Sequence, residues 1–396
     1  MITVTGATGF LGAHLLAALL RRDDRPVSAL VRDDPEEARE RLLRAVRSTG
    51  AHWEAAAFHR RVTPVRTELT APRLGLSAAD HTTLAGRTQE LWHCAADTSP
   101  LGRAAALHRT NVEGTRRVLA LLDAAGRDAR LCHLSTAFVA GKRREGVVPE
   151  DALEERYGFA TAYEESKYRA EELVRGWARD NARAVAVFRP SLLVTDRPAG
   201  PDEPRHWLAV QAARTSLLGR QDRELVLRAA GLSPEDVALP YSARMPGRPD
   251  AVVNLLQVDW AVAAMLRCAA AHPRSEYRTF HVTHPQDRSV PWLLRIALES
   301  CDWLEVELDP DLTPERMRPL DRSLMRLAAG LTPHWWSRRR YDRAGLVAAT
   351  AGLAPPAELS ASYVRSGMTD ALPPMSSTAG PAGAGSAPKG AVSAHV

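Results

Sequence analysis

The sequence is poor in lysine and cysteine and contains no long hydrophobic run. Three of its 52 Lys and Arg residues are lysines, and the surplus of Arg, Ala and Pro indicates a GC-rich coding bias rather than a function. No apolar stretch is long enough to cross a bilayer, so no transmembrane segment is predicted. The four cysteines form no C-x-x-C pair, so we expect reduced core thiols in a cytoplasmic protein. They are Cys94, Cys132, Cys268 and Cys301.

Histidine spacing and net charge exclude further classes of site. The 13 histidines show no H-E-x-x-H or comparable pattern, so no metal site is predicted. His93 and His133 adjoin sheet ends and are interpreted as structural. The net charge of +5 is modest and accompanies no DNA- or RNA-binding motif, so no nucleic-acid partner is predicted. A basic excess does suit acidic partners or phosphorylated ligands.

The N-terminus carries a glycine-rich turn between a strand and a helix. Residues 2–5 are a short β-branched run typical of a strand, and Gly6, Gly9 and Gly12 follow before an apolar helical segment. Glycines permit a tight turn and let backbone N–H groups approach a pyrophosphate, while the helix N-terminus adds partial positive charge. The sequence therefore predicts a dinucleotide site, with G-x-x-G-x-x-G spacing rather than G-x-G-x-x-G.

Arg32 stands at the end of the second predicted strand, residues 27–31. An acidic residue at this position would bind a ribose 2′-hydroxyl, whereas an arginine accepts a 2′-phosphate. Arg32 therefore favours NADPH over NADH. Asp33 and Asp34 follow directly, and a solvated loop charge is the alternative interpretation.

Tyr163 and Lys167 lie four residues apart in a helical pattern. Such positions share one face of a helix, so a phenol and an ammonium can point into the same pocket. A neighbouring cation lowers the pKa of a phenol, so Tyr163 is a candidate general acid and Lys167 is the cation that would lower its pKa. The spacing is common on exposed helices, and the glycine turn is what favours the catalytic interpretation.

Apolar strands alternate with helical segments, which predicts an α/β fold. We expect a Rossmann-type doubly wound parallel sheet with a smaller C-terminal substrate-binding lobe. Residues 1–195 are predicted to form the NADP-binding domain with the catalytic residues, and 196–372 a lobe partly interleaved with it. The strand–helix unit at 252–260 is assigned to the lobe. Residues 373–396, rich in Gly, Ala, Ser and Pro, are predicted to be a disordered tail.

Taken in order, the motifs resemble the extended short-chain dehydrogenase/reductase family over residues 1–370. Within it, the chain looks most like the thioester reductase and fatty acyl reductase branch, which the segment Pro-Arg-Leu-Gly-Leu-Ser at 72–77 favours. One departure is Glu68-Leu69, where the family usually has Asp-Leu. The motifs that carry the resemblance lie at residues 5–12, 30–32, 72–77, 93–97, 111–115, 133–141, 163–167 and 188–191.

The resemblance implies a role for each of these positions. Thr136, with Ser135 as the alternative, would hydrogen-bond the substrate carbonyl, and Tyr163 would protonate the developing oxyanion. Lys167 would lower the pKa of Tyr163 and bind the nicotinamide ribose, and Asn111 would brace the site. Ala95 and Ala96 would lie under the cofactor, with Pro190 and Ser191 at its nicotinamide end. The other implied cofactor contacts are Gly6, Thr8, Gly9, Phe10, Leu11, Gly12 and Arg32.

The function implied by the resemblance is NADPH-dependent reduction of an acyl thioester, carried by a carrier protein or coenzyme A, to an aldehyde or alcohol. A ketone or alcohol oxidoreductase and a sugar-nucleotide epimerase or dehydratase use the same hydroxyl, Tyr and Lys. Arg32 counts against the sugar-nucleotide enzymes. A non-catalytic NADP-binding sensor is the third alternative, and the retained Tyr163 and Lys167 count against it.

The segment 316–343 is basic, with Trp335 and Trp336 before a run of three arginines at 338–340. One interpretation is a surface helix pair of the lobe. The other is a docking surface for an acidic carrier protein or a membrane that holds an acyl substrate. No oligomeric state is predicted.

Overall fold

The computed structural model describes residues 1–369 except 100–101, 201, 217–222, 234, 236, 238–239, 273–275, 300, 302 and 329–331. Its strands are β1 (Ile2–Thr5), β2 (Val27–Val31), β3 (Val62–Arg66), β4 (Glu90–His93), β5 (Arg130–Leu134), β6 (Val147–Val148), β7 (Val185–Pro190), β8 (Leu192–Val194), β9 (Tyr241–Pro246), β10 (Val252–Val253), β11 (Leu255–Gln257), β12 (Tyr277–Val282), β13 (Arg288–Ser289), β14 (Leu304–Asp309) and β15 (Arg340–Tyr341).

The α-helices are α1 (Phe10–Arg22), α2 (Pro35–Ser48), α3 (Ala55–Arg61), α4 (Ala78–Arg87), α5 (Ala104–Leu107), α6 (Gly114–Asp123), α7 (Ala162–Asn181), α8 (Trp207–Ser216), α9 (Arg223–Ala229), α10 (Val258–Ala271), α11 (Val290–Ala297), α12 (Pro319–Leu327), α13 (Ala344–Ala349) and α14 (Ala361–Thr369). A π-helix spans His108–Glu113, and 3-10 helices span Pro72–Gly75, Ala137–Ala140, Glu155–Tyr157, Pro314–Arg316 and Thr332–Trp336.

Seven strands form one parallel sheet in the order β12-β7-β5-β4-β1-β2-β3. The chain begins in the middle of the sheet, winds outward to β3, and then crosses back to β4 and winds the other way. The carboxyl ends of β1 and β4 therefore form the switch point where open α/β sheets bind dinucleotides. The predicted Rossmann-type doubly wound sheet is confirmed.

Helices cover both faces of this sheet, which explains why its central strands are buried throughout. Every residue of β1 and of β2 is buried, as expected for parallel strands with no solvated face. One apolar core lies between the sheet and α1, α2 and α10. The opposite core lies between the sheet and α4, α6 and α7. This packing fixes the carboxyl edge of the sheet as a rigid base for the site.

A third apolar core belongs to the smaller part of the chain and lies around the parallel pair β9 and β14. The strand predicted at 252–256 is split into β10 and β11. Asn254 separates them, because its amide donates to His284 O at 2.9 Å and to Asp287 Oδ1 at 2.7 Å. The following helix, α10, packs into the core of the main sheet rather than the lobe. A domain division at residue 195 stays a prediction.

The basic segment 316–343 is not the surface helix pair predicted as one alternative. It contains α12, a 3-10 helix and the two-residue strand β15, which pairs with β6. Arg339 is 5% exposed and donates to the carbonyl oxygens of Gly141 and Arg143, which anchors the segment to the main sheet's loops. Arg338 forms ion pairs with Glu145 and Asp250.

The structure also bears on three absences predicted from the sequence. All four cysteines are free thiols. Within the described ranges no helix is long and apolar enough to cross a membrane, and no cluster of three His, Cys, Asp or Glu residues could hold a metal ion. The predicted disordered tail, 373–396, lies outside the described residues.

Candidate functional site

The glycine turn joins β1, α1 and the end of β4 at distances that exclude side chains. Gly6 has φ +70, and a Cβ there would lie 2.6 Å from the backbone nitrogen of Ala95. A Cβ on Gly12 would lie 2.0 Å from Gly6 O. Gly9 is the exposed N-cap of α1, and no side chain caps the first turn. The turn is therefore a cradle of backbone with an open helix N-terminus, which fits a pyrophosphate.

His93 holds this cradle in place from below. Its Nε2 lies 3.0 Å from Thr115 Oγ1, whose own proton goes to Asn111 O at 2.6 Å, so Nε2 donates. Its Nδ1 then accepts from Thr5 Oγ1 at 2.8 Å. Burial lowers the pKa of His93 to about 3, which keeps the ring neutral in this tautomer. His93 thus ties the end of β4 to β1 and to the π-helix.

Asn111 lies in the π-helix and connects the loop after β4 to α7. Its Nδ2 donates to Asp97 O at 2.9 Å and to Ser166 Oγ at 2.8 Å, and its Oδ1 accepts from Asp97 N at 2.7 Å. Ser166 in turn donates to Tyr163 O at 2.8 Å. A π-turn, common at functional sites, therefore places Asn111 where it braces the start of α7.

Two arginines follow β2, one directly after the strand and one in α2. Arg32 is exposed directly after β2, as predicted. Arg41, which the sequence analysis missed, donates to Thr8 Oγ1 at 3.4 Å and forms an ion pair with Asp33. The sequence does contain a signal for Arg41. Asp34 and Pro35 mark the start of a helix, and the second turn of that helix brings residue 41 back to the glycine turn.

Tyr163 and Lys167 lie in the first two turns of α7. The helix begins there because Thr161 caps it and accepts from the N–H of Glu164, whose carboxylate accepts from Ala160 N at 2.8 Å. The Thr136 side chain interacts with the Tyr163 phenol and acts on its pKa. Thr136 directly follows β5 and caps the short helix Ala137–Ala140. The structure therefore brings the predicted hydroxyl and phenol together at the carboxyl edge of the sheet.

That Lys167 lowers the pKa of Tyr163 stays a prediction. Burial raises the pKa of Tyr163 to about 12, and an interaction with the Thr136 side chain opposes this rise. Lys167 donates from Nζ to Leu134 O at 2.6 Å. This hydrogen bond holds the ammonium at the end of β5. Burial lowers the pKa of Lys167 to about 8, which is close to neutrality.

Ser135, the alternative hydroxyl, is engaged elsewhere. Successive side chains of a strand point to opposite faces, and Ser135 Oγ donates to Glu171 Oε2 at 2.6 Å inside the protein. Thr136, on the other side of the chain, is the hydroxyl that meets Tyr163. The geometry therefore favours Thr136 over Ser135 for contact with a substrate.

The nicotinamide end of the predicted site lies after β7. Pro190 ends this strand, and the next residue, Ser191, has a buried hydroxyl with no hydrogen-bond partner among the described residues. Ala95 and Ala96 are half-buried beyond the end of β4. A buried unpaired hydroxyl after β7 and a side-chain-free cradle after β1, at the same edge of the sheet, fit a dinucleotide with a polar ring at one end.

A family model described as Male sterility protein, of an NAD-binding family, matches residues 4–265. Isonitrile lipopeptide synthase of Streptomyces coeruleorubidus is 34% identical over 211 residues, which are 52% of this chain and 14% of that protein. Nonribosomal peptide synthetase asaC of Aspergillus flavus is 29% identical over 343 residues, 81% of this chain and 31% of that protein. The chain thus spans less than a third of either relative.

Two solved structures share the fold over nearly the whole chain. The terminal R domain from the myxalamid PKS-NRPS biosynthetic pathway has a TM-score of 0.70 at 25% identity, covering 93% of this chain and 89% of that one. The reductase (R) domain of a nonribosomal peptide synthetase from Mycobacterium tuberculosis has a TM-score of 0.65 at 22% identity, covering 93% and 90%. The predicted resemblance to this branch is confirmed.

Proposed function

The chain belongs to the NAD-binding family described as Male sterility protein, and from this membership we propose that it reduces an acyl thioester with NADPH. It is an NAD(P)-dependent oxidoreductase of the extended short-chain dehydrogenase/reductase superfamily. The observation that carries the proposal is that the Thr136 side chain interacts with the Tyr163 phenol, with Lys167 one helical turn along α7, beside the glycine cradle. The product is an aldehyde, or an alcohol after a second reduction.

The cofactor is assigned to the cradle and the strand ends around it. The backbone from Gly6 to Gly12, with Thr8, Phe10 and Leu11, holds the pyrophosphate, and Arg32 and Arg41 hold the 2′-phosphate. Ala95 and Ala96 support it, and Lys167 and Ser191 contact the nicotinamide half. When bound, the cofactor supplies the hydride. NADPH rather than NADH is proposed because two guanidinium groups lie at the adenosine end.

The protein's own groups act on the substrate oxygen. Thr136 and Tyr163 both donate hydrogen bonds to it, and these bonds strengthen as the carbonyl carbon becomes tetrahedral and the oxygen becomes anionic. Tyr163 then transfers its phenolic proton to that oxygen. The Lys167 ammonium stabilises the phenolate that remains. Loss of the thiol from the tetrahedral carbon releases the aldehyde.

A carrier-bound acyl group is the proposed natural substrate, because the chain resembles reductase domains of nonribosomal peptide synthetases over most of its length. Residues 196–372 are proposed to select the acyl group. Coenzyme A thioesters contain the same reacting thioester bond. In the carrier-bound substrate the thiol belongs to a protein, and in the coenzyme A substrate it belongs to a nucleotide.

The test is NADPH consumption against matched acyl-carrier, acyl-coenzyme A, ketone and nucleotide-sugar substrates, with NADH in parallel. The proposal expects thiol release and aldehyde only with the thioesters, and faster reaction with NADPH. Turnover of ketones or nucleotide sugars without any of the thioesters would contradict it. Comparing the carrier and coenzyme A substrates at equal concentration identifies the preferred donor.

A further inference from the structure

Three side chains on one face of α7 contact three successive residues at the end of β5. The Tyr163 phenol interacts with the Thr136 side chain, Lys167 donates to Leu134 O, and Glu171 accepts from Ser135 Oγ. They are spaced four residues apart, so they form one row along the helix. We call these three contacts the α7–β5 seam. Two of them belong to the proposed active site, and the third, at Glu171, has no role in it so far.

Glu171 is fully buried and paired with Arg189 of β7. The side chains of both residues are 0% exposed, and Arg189 Nε lies 3.1 and 3.0 Å from the two carboxylate oxygens. Arg189 also donates to Glu150 O at 3.2 Å and to His281 Nε2 at 3.3 Å. His281 Nδ1 donates to Asp342 O at 2.9 Å, so its Nε2 is free to accept. The Glu171 carboxylate is therefore held in one place from three strands.

The charges around Lys167 show what this carboxylate contributes. Four titratable groups act on Lys167: Glu171 from its own helix, His93 and Cys94 from β4 and its end, and His133 from β5. Burial lowers the pKa of His93 to about 3 and that of His133 well below its ordinary value, and raises the pKa of the Cys94 thiol to about 12. These three are uncharged near neutrality, so Glu171 is the charged group among the four.

We propose that Glu171 is a positioning residue for the reaction, which fixes Ser135 so that the adjacent Thr136 faces Tyr163, and whose negative charge supports the ammonium of Lys167. This inference rests on the proposed function, because it assigns Glu171 a part in that same site. It predicts two separable effects: a charge effect on Lys167 and an orientation effect on Thr136.

Replacement of Glu171 by Gln removes the charge but keeps the size and an acceptor for Ser135. Lys167 then loses its proton at lower pH, so the alkaline limb of kcat/KM moves toward acid. Glu90→Gln is the matched control. Glu90 is also a buried carboxylate, 2% exposed and paired with Arg22 and Arg25, but it lies at the amino end of β4, away from the site. The Glu90→Gln variant therefore loses a comparable ion pair and leaves the contacts of the α7–β5 seam unchanged.

The lysine count makes the charge effect directly measurable. The chain has three lysines, Lys142, Lys167 and Lys389, so protein grown with lysine ¹³C-labelled at Cε gives three signals. Lys142→Arg and Lys389→Arg assign them. Glu171→Gln should lower the titration midpoint of Lys167 by roughly one pH unit, whereas Glu90→Gln should leave it unchanged. If the single variant does not fold, Glu171→Gln with Arg189→Gln removes both charges and is titrated in the same way.

Ser135→Ala isolates the orientation effect, because it leaves the Glu171–Arg189 pair intact. It should lower kcat by roughly 10- to 100-fold with the KM for NADPH and the Lys167 midpoint unchanged, as expected when one hydrogen bond to a charged carboxylate is lost. An unmoved Lys167 midpoint in Glu171→Gln, or an unchanged kcat in Ser135→Ala, overturns the proposal for Glu171. Failure of the wild type to reduce any thioester overturns the proposed function instead, and the lysine titration distinguishes the two because it requires no turnover.

Discussion

Lys167 donates its ammonium proton to the carbonyl oxygen of Leu134 at 2.6 Å. This bond ties the second turn of α7 to the last residue of β5, directly before the hydroxyls of Ser135 and Thr136. The ammonium therefore helps to fix the helix that presents Tyr163, in addition to any contact with a cofactor. The phenol is a weak acid here, and it transfers its proton only after negative charge has formed on the substrate oxygen.

The pH dependence should follow Lys167. Burial holds the pKa of its ammonium at about 8 and that of Tyr163 at about 12. Lys167 is protonated below its pKa and neutral above it, so kcat/KM should fall as pH rises through about 8, while Tyr163 stays protonated. A pH series of kcat/KM measures this. Lys167→Arg should lower kcat and remove the alkaline fall of kcat/KM, because an arginine stays charged at these pH values. A wild-type kcat/KM that stays constant well above pH 8 would argue against the role of Lys167.

Tyr163→Phe should remove the proton donor and leave the cofactor site intact. We expect kcat to fall by roughly 10²- to 10⁴-fold, with the Kd for NADPH nearly unchanged, as for loss of a general acid. Tyr168→Phe is the control, because Tyr168 is also buried on α7 but directs its hydroxyl toward Leu153 O at 3.5 Å. Substantial turnover by Tyr163→Phe would refute the proton-donor role.

Thr136→Val should keep the shape of the side chain and remove its hydroxyl. Loss of one donor to a developing oxyanion lowers kcat by roughly 10²- to 10³-fold. Thr3→Val serves as the control for a buried hydroxyl, since Thr3 bonds Thr88 Oγ1 at 2.8 Å within the sheet. Steady-state kinetics with a saturating thioester measures both variants, and equal effects would mean that Thr136 acts only on stability.

Cofactor choice should depend on Arg32 and Arg41. Each Ala variant should raise the KM for NADPH by roughly 10- to 100-fold, the loss expected for one charge-assisted hydrogen bond, and leave the KM for NADH nearly unchanged. Asp33→Asn frees Arg41 from its ion pair and should lower the KM for NADPH. Parallel kinetics with both cofactors tests this, and an equal rise for NADH would refute recognition of the 2′-phosphate.

Gly12→Ala should abolish cofactor binding, because its Cβ would lie 2.0 Å from Gly6 O and displace the turn. Gly86→Ala is the matched control. Gly86 is exposed near the end of α4 with nothing within 4 Å of the added Cβ, so this change should stabilise the fold by about 0.5–1 kcal/mol. Isothermal titration with NADPH and thermal unfolding distinguish the two. Wild-type affinity in Gly12→Ala would contradict the cradle.

Local patterns made the glycine turn and the Tyr163/Lys167 face predictable from the sequence. The turn needs glycines at fixed offsets between a strand and a helix, and one helical face is set by a four-residue spacing. The Ser135–Glu171 and Lys167–Leu134 contacts of the seam and the Arg41–Thr8 contact were not predictable, because each joins residues that are 33 or more positions apart and meet only when the sheet is assembled. The burial of Tyr163, which is the largest cause of its raised pKa, could not be read from the four-residue spacing either.

The central claim is that hydride reaches the carbonyl carbon of an acyl thioester while Thr136 and Tyr163 hold its oxygen. It is tested most directly with NADPH deuterated at the transferable hydrogen and a simple acyl-pantetheine thioester, followed by mass spectrometry of the product. The expected product is an aldehyde with deuterium on its carbonyl carbon and one free thiol for each NADPH oxidised, or an alcohol with two deuterium atoms on that carbon and one free thiol for every two NADPH oxidised. Oxidation of NADPH without thiol release, or a product carbonyl without deuterium, would contradict it.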